Sequence, residues 1–186
     1  MRKCFCLIAL LILGTATRAN ADETDDIRVA GEILRLALPA AAVGVSLGKD
    51  DEHGIVQLGA SVLLAEGSSL LLQEVIEEER PDKSDRHSFP SDSAAVAFSA
   101  ASFLQIRYGW SYGLPAYAVA GFVGWSRVES NRHYWHDVLA GAALGWVASE
   151  ITAIRYHNDP GTIGISGPMP AAFAHGPLGF SLAAHW

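Results

Sequence analysis

Three short stretches of the sequence hold side chains whose types and spacing suit work on a phosphate group. The longest is Ser126-Arg127-Val128-Glu129-Ser130-Asn131-Arg132-His133-Tyr134-Trp135-His136-Asp137, in which a Ser-Arg pair is followed after five residues by His133 and after three more by Asp137. If His133 opens a helix, Asp137 stands one turn on, on the same face. A carboxylate there can fix the imidazole tautomer and leave the other ring nitrogen as a nucleophile. Arg127 offers a planar fork of donors that matches phosphate oxygens. The plain alternative is a surface histidine beside a carboxylate that caps a helix. The second stretch is Ser88-Phe89-Pro90-Ser91-Asp92-Ser93-Ala94-Ala95, at a loop-to-helix junction. Free backbone N–H groups and a serine hydroxyl at such a junction make an anion site, or Ser91 or Asp92 simply caps the helix. The third is Arg80-Pro81, another guanidinium or only a helix stop.

Positioning these groups falls to helices. Apolar runs with helical interruptions predict five of them: Ala30 to Leu47 with a kink at Pro39, Ile55 to Ile76, Ser91 to Tyr108, Leu114 to Trp125 opened near its first turn by Pro115, and His133 to Tyr156. Lys49 to Gly54 reads as a charged turn. The second helix runs into an acidic cluster, Glu74 and Glu77 to Glu79, and stops at Arg80-Pro81. After Asp159 glycine and proline become too dense for a helix interior, so residues 159–186 read as an irregular segment or a small β-hairpin. The fold class expected is all-α, a bundle of about five core helices.

The amino terminus has the layout of a secretory signal: Arg2 and Lys3, an apolar run from Cys4 to Ala16, and Ala19-Asn20-Ala21 before a cut after Ala21. The run is short for a membrane span. The expected organisation is therefore a signal over 1–21, a helical domain over 22–158 and the Gly/Pro-rich segment over 159–186. Cys4 and Cys6 both fall in the signal, so the mature chain would have neither disulfides nor cysteine-ligated metals. Of 186 residues, 50% are hydrophobic and 18% charged, and the formal net charge is −7. Loss of Arg2, Lys3 and Arg18 would take it to −10, which argues against a nucleic-acid partner. Tyr108 to Ser126 carries no formal charge, whereas Arg35, Glu66, Asp92 and Glu150 interrupt the other apolar runs. The balance is toward membrane association, with a soluble bundle as the alternative.

Taken in this order, the three stretches resemble the type 2 phosphatidic acid phosphatase superfamily, which also contains bacterial class A acid phosphatases and vanadium haloperoxidases. Its signature is Lys, six residues, Arg-Pro; then Pro-Ser-Gly-His; then Ser-Arg, five residues, His, three residues, Asp. The resemblance covers roughly residues 54 to 156, and the third part matches at every defining position. It implies a phosphatase acting on a lipid phosphate or a small phosphate ester, and with the signal-like amino terminus the expected location is the periplasm or the inner membrane with a periplasm-facing site. His133 would form a phosphohistidine, with Asp137 orienting it. Arg80, Arg127 and the Ser91 hydroxyl would hold the phosphoryl oxygens. No cofactor or metal is implied for phosphatase members.

The sequence departs from that pattern at three positions. Gln73 stands where the family has Lys, and Asp92 and Ser93 replace Gly and His. Gln brings no charge to a phosphate, and Ser93 is a poor substitute for a histidine that protonates the leaving oxygen. Loss of a general acid typically costs about 10²- to 10⁴-fold. His87 or His136 could substitute, though neither occupies the family position. A second reading follows: a catalytically impaired member with a binding or structural role. A haloperoxidase is more remote, because the same Lys and His positions are altered.

Overall fold

The computed structural model describes residues 23–156, which form five helices. These are α1 (Glu23–Leu47), α2 (Glu52–Val75), α3 (Asp92–Tyr108), α4 (Trp110–Glu129) and α5 (Trp135–Thr152). Among the described residues there is no strand beyond an isolated bridge between Glu78 and His87. The expected signal segment and the Gly/Pro-rich tail lie outside the described residues.

Helix α3 is the axis of the bundle and packs against all four others. Its sequence explains why: Ala94, Ala95, Ala97, Ala100 and Ala101 are small enough to be buried on every side, and Phe103 is the large side chain that fills the centre. Helix α5 comes closest. A Cβ at Gly141 would collide with the Ser91 carbonyl, and one at Gly145 with the α3 backbone at Ala95 and Ser99. The two helices therefore touch through their backbones, and Ser149 Oγ donates to the Ser99 carbonyl at 2.8 Å to seal the contact.

The far end of α3, roughly 22 Å from its N-terminus by helical rise, is tied down by a buried ion pair. Arg107 donates to both oxygens of Asp51, from Nε at 2.5 Å and from Nη2 at 2.6 Å, and its Nη1 reaches the Ile154 carbonyl at 2.6 Å. Tyr108 adds a third donor to Asp51 at 2.6 Å. Asp51 also caps α2 through Gly54 N at 2.9 Å, so the charged turn seen in the sequence is where α1, α2, α3 and the end of α5 are joined. Burial opposes ionisation of Asp51, but the bonds from Arg107 and Tyr108 outweigh it and hold its pKa below the ordinary carboxylate value.

Several helix ends differ from the sequence expectation, among them that of α5, which stops at Thr152 rather than Tyr156. Helix α1 starts well before Ala30 and continues through Pro39. Helix α4 gains about a turn at each end, which puts Ser126 and Arg127 on a helix. Helix α2 starts at Glu52, three residues before Ile55, and stops at Val75, one residue from the expected end, where the carboxylates at Glu77 to Glu79 are disfavoured at a helix C-terminus. Helix α5 begins at Trp135, so His133 precedes it.

Large apolar side chains face outward around the bundle, among them Leu36 on α1, Leu63 and Leu71 on α2, Leu114 on α4 and Leu139 on α5. Helices α1 and α2 are long and apolar enough to cross a membrane.

Candidate active site

The site lies where the loop before α3 meets the turn before α5. In that turn the backbone N–H groups of Arg132 and His133 both donate to the Arg127 carbonyl, at 3.0 and 3.2 Å. The end of α4 thus sets the position of His133. Asp137 occupies the first turn of α5, and its Oδ2 accepts from Tyr134 N at 2.8 Å, which caps the helix. This is why α5 starts two residues after His133: Asp137 serves as a cap, and a histidine one turn earlier falls outside the helix.

His133 and Asp137 are both buried. The Nδ1 atom of His133 lies 2.8 Å from the Ser88 carbonyl and 3.7 Å from Asp137 Oδ2. The Ser88 hydroxyl donates to that same Oδ2 at 2.5 Å. Ser88 is therefore the link between the two: its carbonyl fixes the histidine tautomer, and its hydroxyl holds the carboxylate. With the ring proton on Nδ1, the lone pair is on Nε2, as a nucleophilic imidazole requires.

The Ser88-to-Ser93 stretch is bound from two sides. Ser91 N donates to the Asp137 carbonyl at 3.0 Å, and the Ser91 hydroxyl accepts from Ala94 N at 3.4 Å as the N-cap of α3. Gln73 Nε2 donates to the Pro90 carbonyl at 2.8 Å, with Ser69 Oγ on the same oxygen at 3.3 Å. Gln73 is thus engaged with the loop backbone. Asp92 and Ser93 open α3, and Asp92 faces Arg35 of α1 at 3.1 Å. Arg35 also binds Glu66 of α2 at 2.9 Å.

The other two arginines have internal partners as well. Arg80 Nε donates to Asp85 at 2.7 Å and its Nη2 reaches the His87 carbonyl at 3.4 Å. Burial works against ionisation of Asp85, but the His87 N–H and Arg80 more than offset it and keep its pKa below the ordinary value. This loop is fastened to the His133 turn by Asp82 N on the Asn131 carbonyl and by Arg132 on Asp82, each at 3.1 Å. The buried Arg127 guanidinium bonds Glu32 and, at 2.8 Å, the Arg28 carbonyl, both on α1. The structure thus brings His133, Asp137, Ser91 and Gln73 into one bonded network, while each arginine fork is paired with a carboxylate.

Ser88, Glu32 and Arg35 acquire roles that sequence reasoning had not given them. A signal existed for two of them: a charged side chain inside an apolar helix requires a partner. Nothing in the sequence singled out Ser88 from its neighbouring serines.

The PAP2 superfamily model matches residues 54–159 of the chain. The chain belongs to that superfamily. It is 31% identical to the lipid A 4'-phosphatase of Helicobacter pylori over 137 residues, covering 68% of this chain and 69% of that protein. It is also 42% identical over 76 residues to the lipid A 1-phosphatase of Porphyromonas gingivalis, a stretch that covers 39% of this chain and only 17% of that longer protein. Its fold is similar to that of Aquifex aeolicus LpxE, with a TM-score of 0.52 at 19% identity over 64% of this chain and 83% of that one. All three members of the signature, with the departures at Gln73, Asp92 and Ser93, fall within the PAP2 match.

Proposed function

We propose that this PAP2 chain hydrolyses a phosphomonoester carried on a membrane lipid, through a phosphohistidine at His133. The observation that carries the reading is the buried His133–Ser88–Asp137 arrangement, in which Nδ1 faces a carbonyl and Nε2 is the nitrogen with a lone pair. Nε2 attacks phosphorus, the P–N bond forms, and the P–O bond breaks to release an alkoxide that takes its proton from water, Ser93 standing at the position of the family's acid. Water then cleaves the P–N bond, releasing phosphate and restoring the imidazole. Arg80, Arg127 and Ser91 are the groups proposed to hold the phosphoryl oxygens. Charge on the phosphoryl group competes with Asp85 and Glu32 for the two guanidinium forks.

A lipid substrate is supported by the names of two relatives, both lipid A phosphatases, and by the outward apolar side chains of the helices. We read α1 and α2 as membrane spans on their length and apolar character. The signal-like amino terminus adds export, with a site that faces the periplasm.

The test is phosphate release by the full chain in detergent micelles, from a lipid-linked phosphomonoester and from a soluble aryl phosphate. The expected result is turnover of the lipid ester that His133→Ala abolishes. No release above the His133→Ala background from either ester contradicts hydrolysis. That outcome would favour the second reading, a family member without catalysis, for which the internal pairing of Arg80, Arg127 and Gln73 speaks.

A further inference from the structure

Beside the His133 dyad stands a second group of ionisable side chains. His136 Nε2 is 2.8 Å from Glu78 Oε1 and 3.0 Å from Asp137 Oδ1, and the three atoms lie within 4.8 Å of one another. Asp137 is fully buried, yet its Oδ1 has no hydrogen bond. The reason is geometric. Imidazole Nε2 carries one proton at most, and here that proton is directed to Glu78 while Asp137 Oδ1 faces the same nitrogen without alignment. A buried carboxylate oxygen left in this way is costly. One positive ion placed among the three atoms satisfies all of them at once.

We propose that Glu78, His136 and Asp137 form a binding site for one divalent transition-metal cation of the zinc, cobalt or manganese class. One imidazole with two carboxylates favours that class over magnesium or calcium, which prefer all-oxygen shells. Metal–ligand bonds of roughly 2.0–2.2 Å require the three atoms to adjust only slightly, and Glu78 and His136 are exposed enough to do so. The imidazole is already held in orientation, stacking on Tyr134 at 5.4 Å and 8° and on Phe89 at 6.0 Å and 30°. Glu78 is fixed in the loop because its carbonyl accepts from Ser88 N at 3.0 Å. Binding displaces any proton on Nε2 to solvent, and water completes the coordination shell.

The site shares Asp137 with the dyad, one oxygen for each. A cation on Oδ1 draws negative charge away from Oδ2, which faces His133, so occupancy slows turnover. This effect on turnover rests on the hydrolytic reading, whereas binding of the ion does not.

The test titrates Co²⁺ into the full chain, purified in detergent without an affinity tag and stripped with a chelator, with calorimetry and visible absorption as readouts. The expected result is one Co²⁺ per chain, with affinity at least tenfold weaker in Glu78→Gln and in His136→Ala but unchanged in His87→Ala. Circular dichroism verifies that each variant keeps its helices. Absence of stoichiometric binding, or equal affinity in wild type and both site variants, overturns the proposal. A failure of hydrolysis in every form leaves this readout intact, so the two readings fail separately.

Discussion

The carbonyl oxygen of Ser88 lies 2.8 Å from Nδ1 of His133, nearer than the carboxylate of Asp137 at 3.7 Å. The partner that fixes the histidine tautomer is thus a backbone atom in the loop before α3. Asp137 stands further from the ring and holds Ser88 in place through the serine hydroxyl. A backbone carbonyl cannot be removed by substitution, which makes the hydroxyl the informative atom. Ser88→Ala keeps the carbonyl and leaves Asp137 short of one donor. The expected outcome is a fall in kcat of about tenfold with little change in KM, and a loss of stability of about 1–3 kcal/mol for a buried carboxylate missing one bond. Steady-state kinetics with a thermal melt checks both.

Arg127 is paired with Glu32. If its fork holds phosphate during turnover, Glu32 is a competitor for it. Glu32→Gln keeps the shape and removes the charge. Inorganic phosphate is expected to inhibit the variant about twofold to fivefold more tightly than the wild type, the scale of about 0.4–1 kcal/mol for an ion pair with one half-exposed partner. An unchanged inhibition constant would mean that Arg127 serves only to bind α1.

Ser93 stands where the family has its leaving-group acid. Aryl phosphates need little help from an acid, because the phenolate leaves unprotonated with ease, whereas alkyl phosphates need much. Ser93→His is therefore expected to raise kcat for an alkyl ester by up to about 10²-fold and to change the aryl ester little. Equal gains on both esters would point to an effect on binding. Asp92→Gly is a poorer restoration, since it would also strip Arg35 of one of its two carboxylates.

Asp51 sits at the opposite end of α3 with its pKa lowered by Arg107 and Tyr108 against the burial that would raise it. A group whose folded pKa lies below its unfolded value of about 3.9 adds stability above that value and loses it as pH falls through the folded pKa. The unfolding temperature in detergent is expected to drop as pH goes from about 5 toward 3, and less steeply in Asp51→Asn. Asp51→Ala leaves Arg107 buried without its carboxylate and is expected to cost about 3–5 kcal/mol at neutral pH. Tryptophan fluorescence during heating follows both.

The start of α3 was legible because Ser91 is a capping residue followed by a run of alanines. The dyad was legible too, since its two members are close in sequence. What sequence could not supply was the direction in which each side chain points. Placing His133 on α5 treated Asp137 as a free carboxylate, when its cap on Tyr134 N pushes the helix start two residues on. The negative charge of Asp92 is met by Arg35, which lies on another helix. Pairings such as Arg127 with Glu32 or Gln73 with Pro90 arise only once the helices pack. The close approach of α3 and α5 likewise shows only in the packed structure, in the backbone contact of α3 with Gly141 and Gly145.

The central claim is that His133 carries the phosphoryl group. The most direct measurement is a rapid acid-free quench of the full chain with a ³²P-labelled phosphomonoester, followed by mapping of the label. Hydrolysis through His133 gives an alkali-stable, acid-labile label on the peptide containing His133, absent from His133→Ala. Turnover with no covalent label, or with label that persists in His133→Ala, would contradict it.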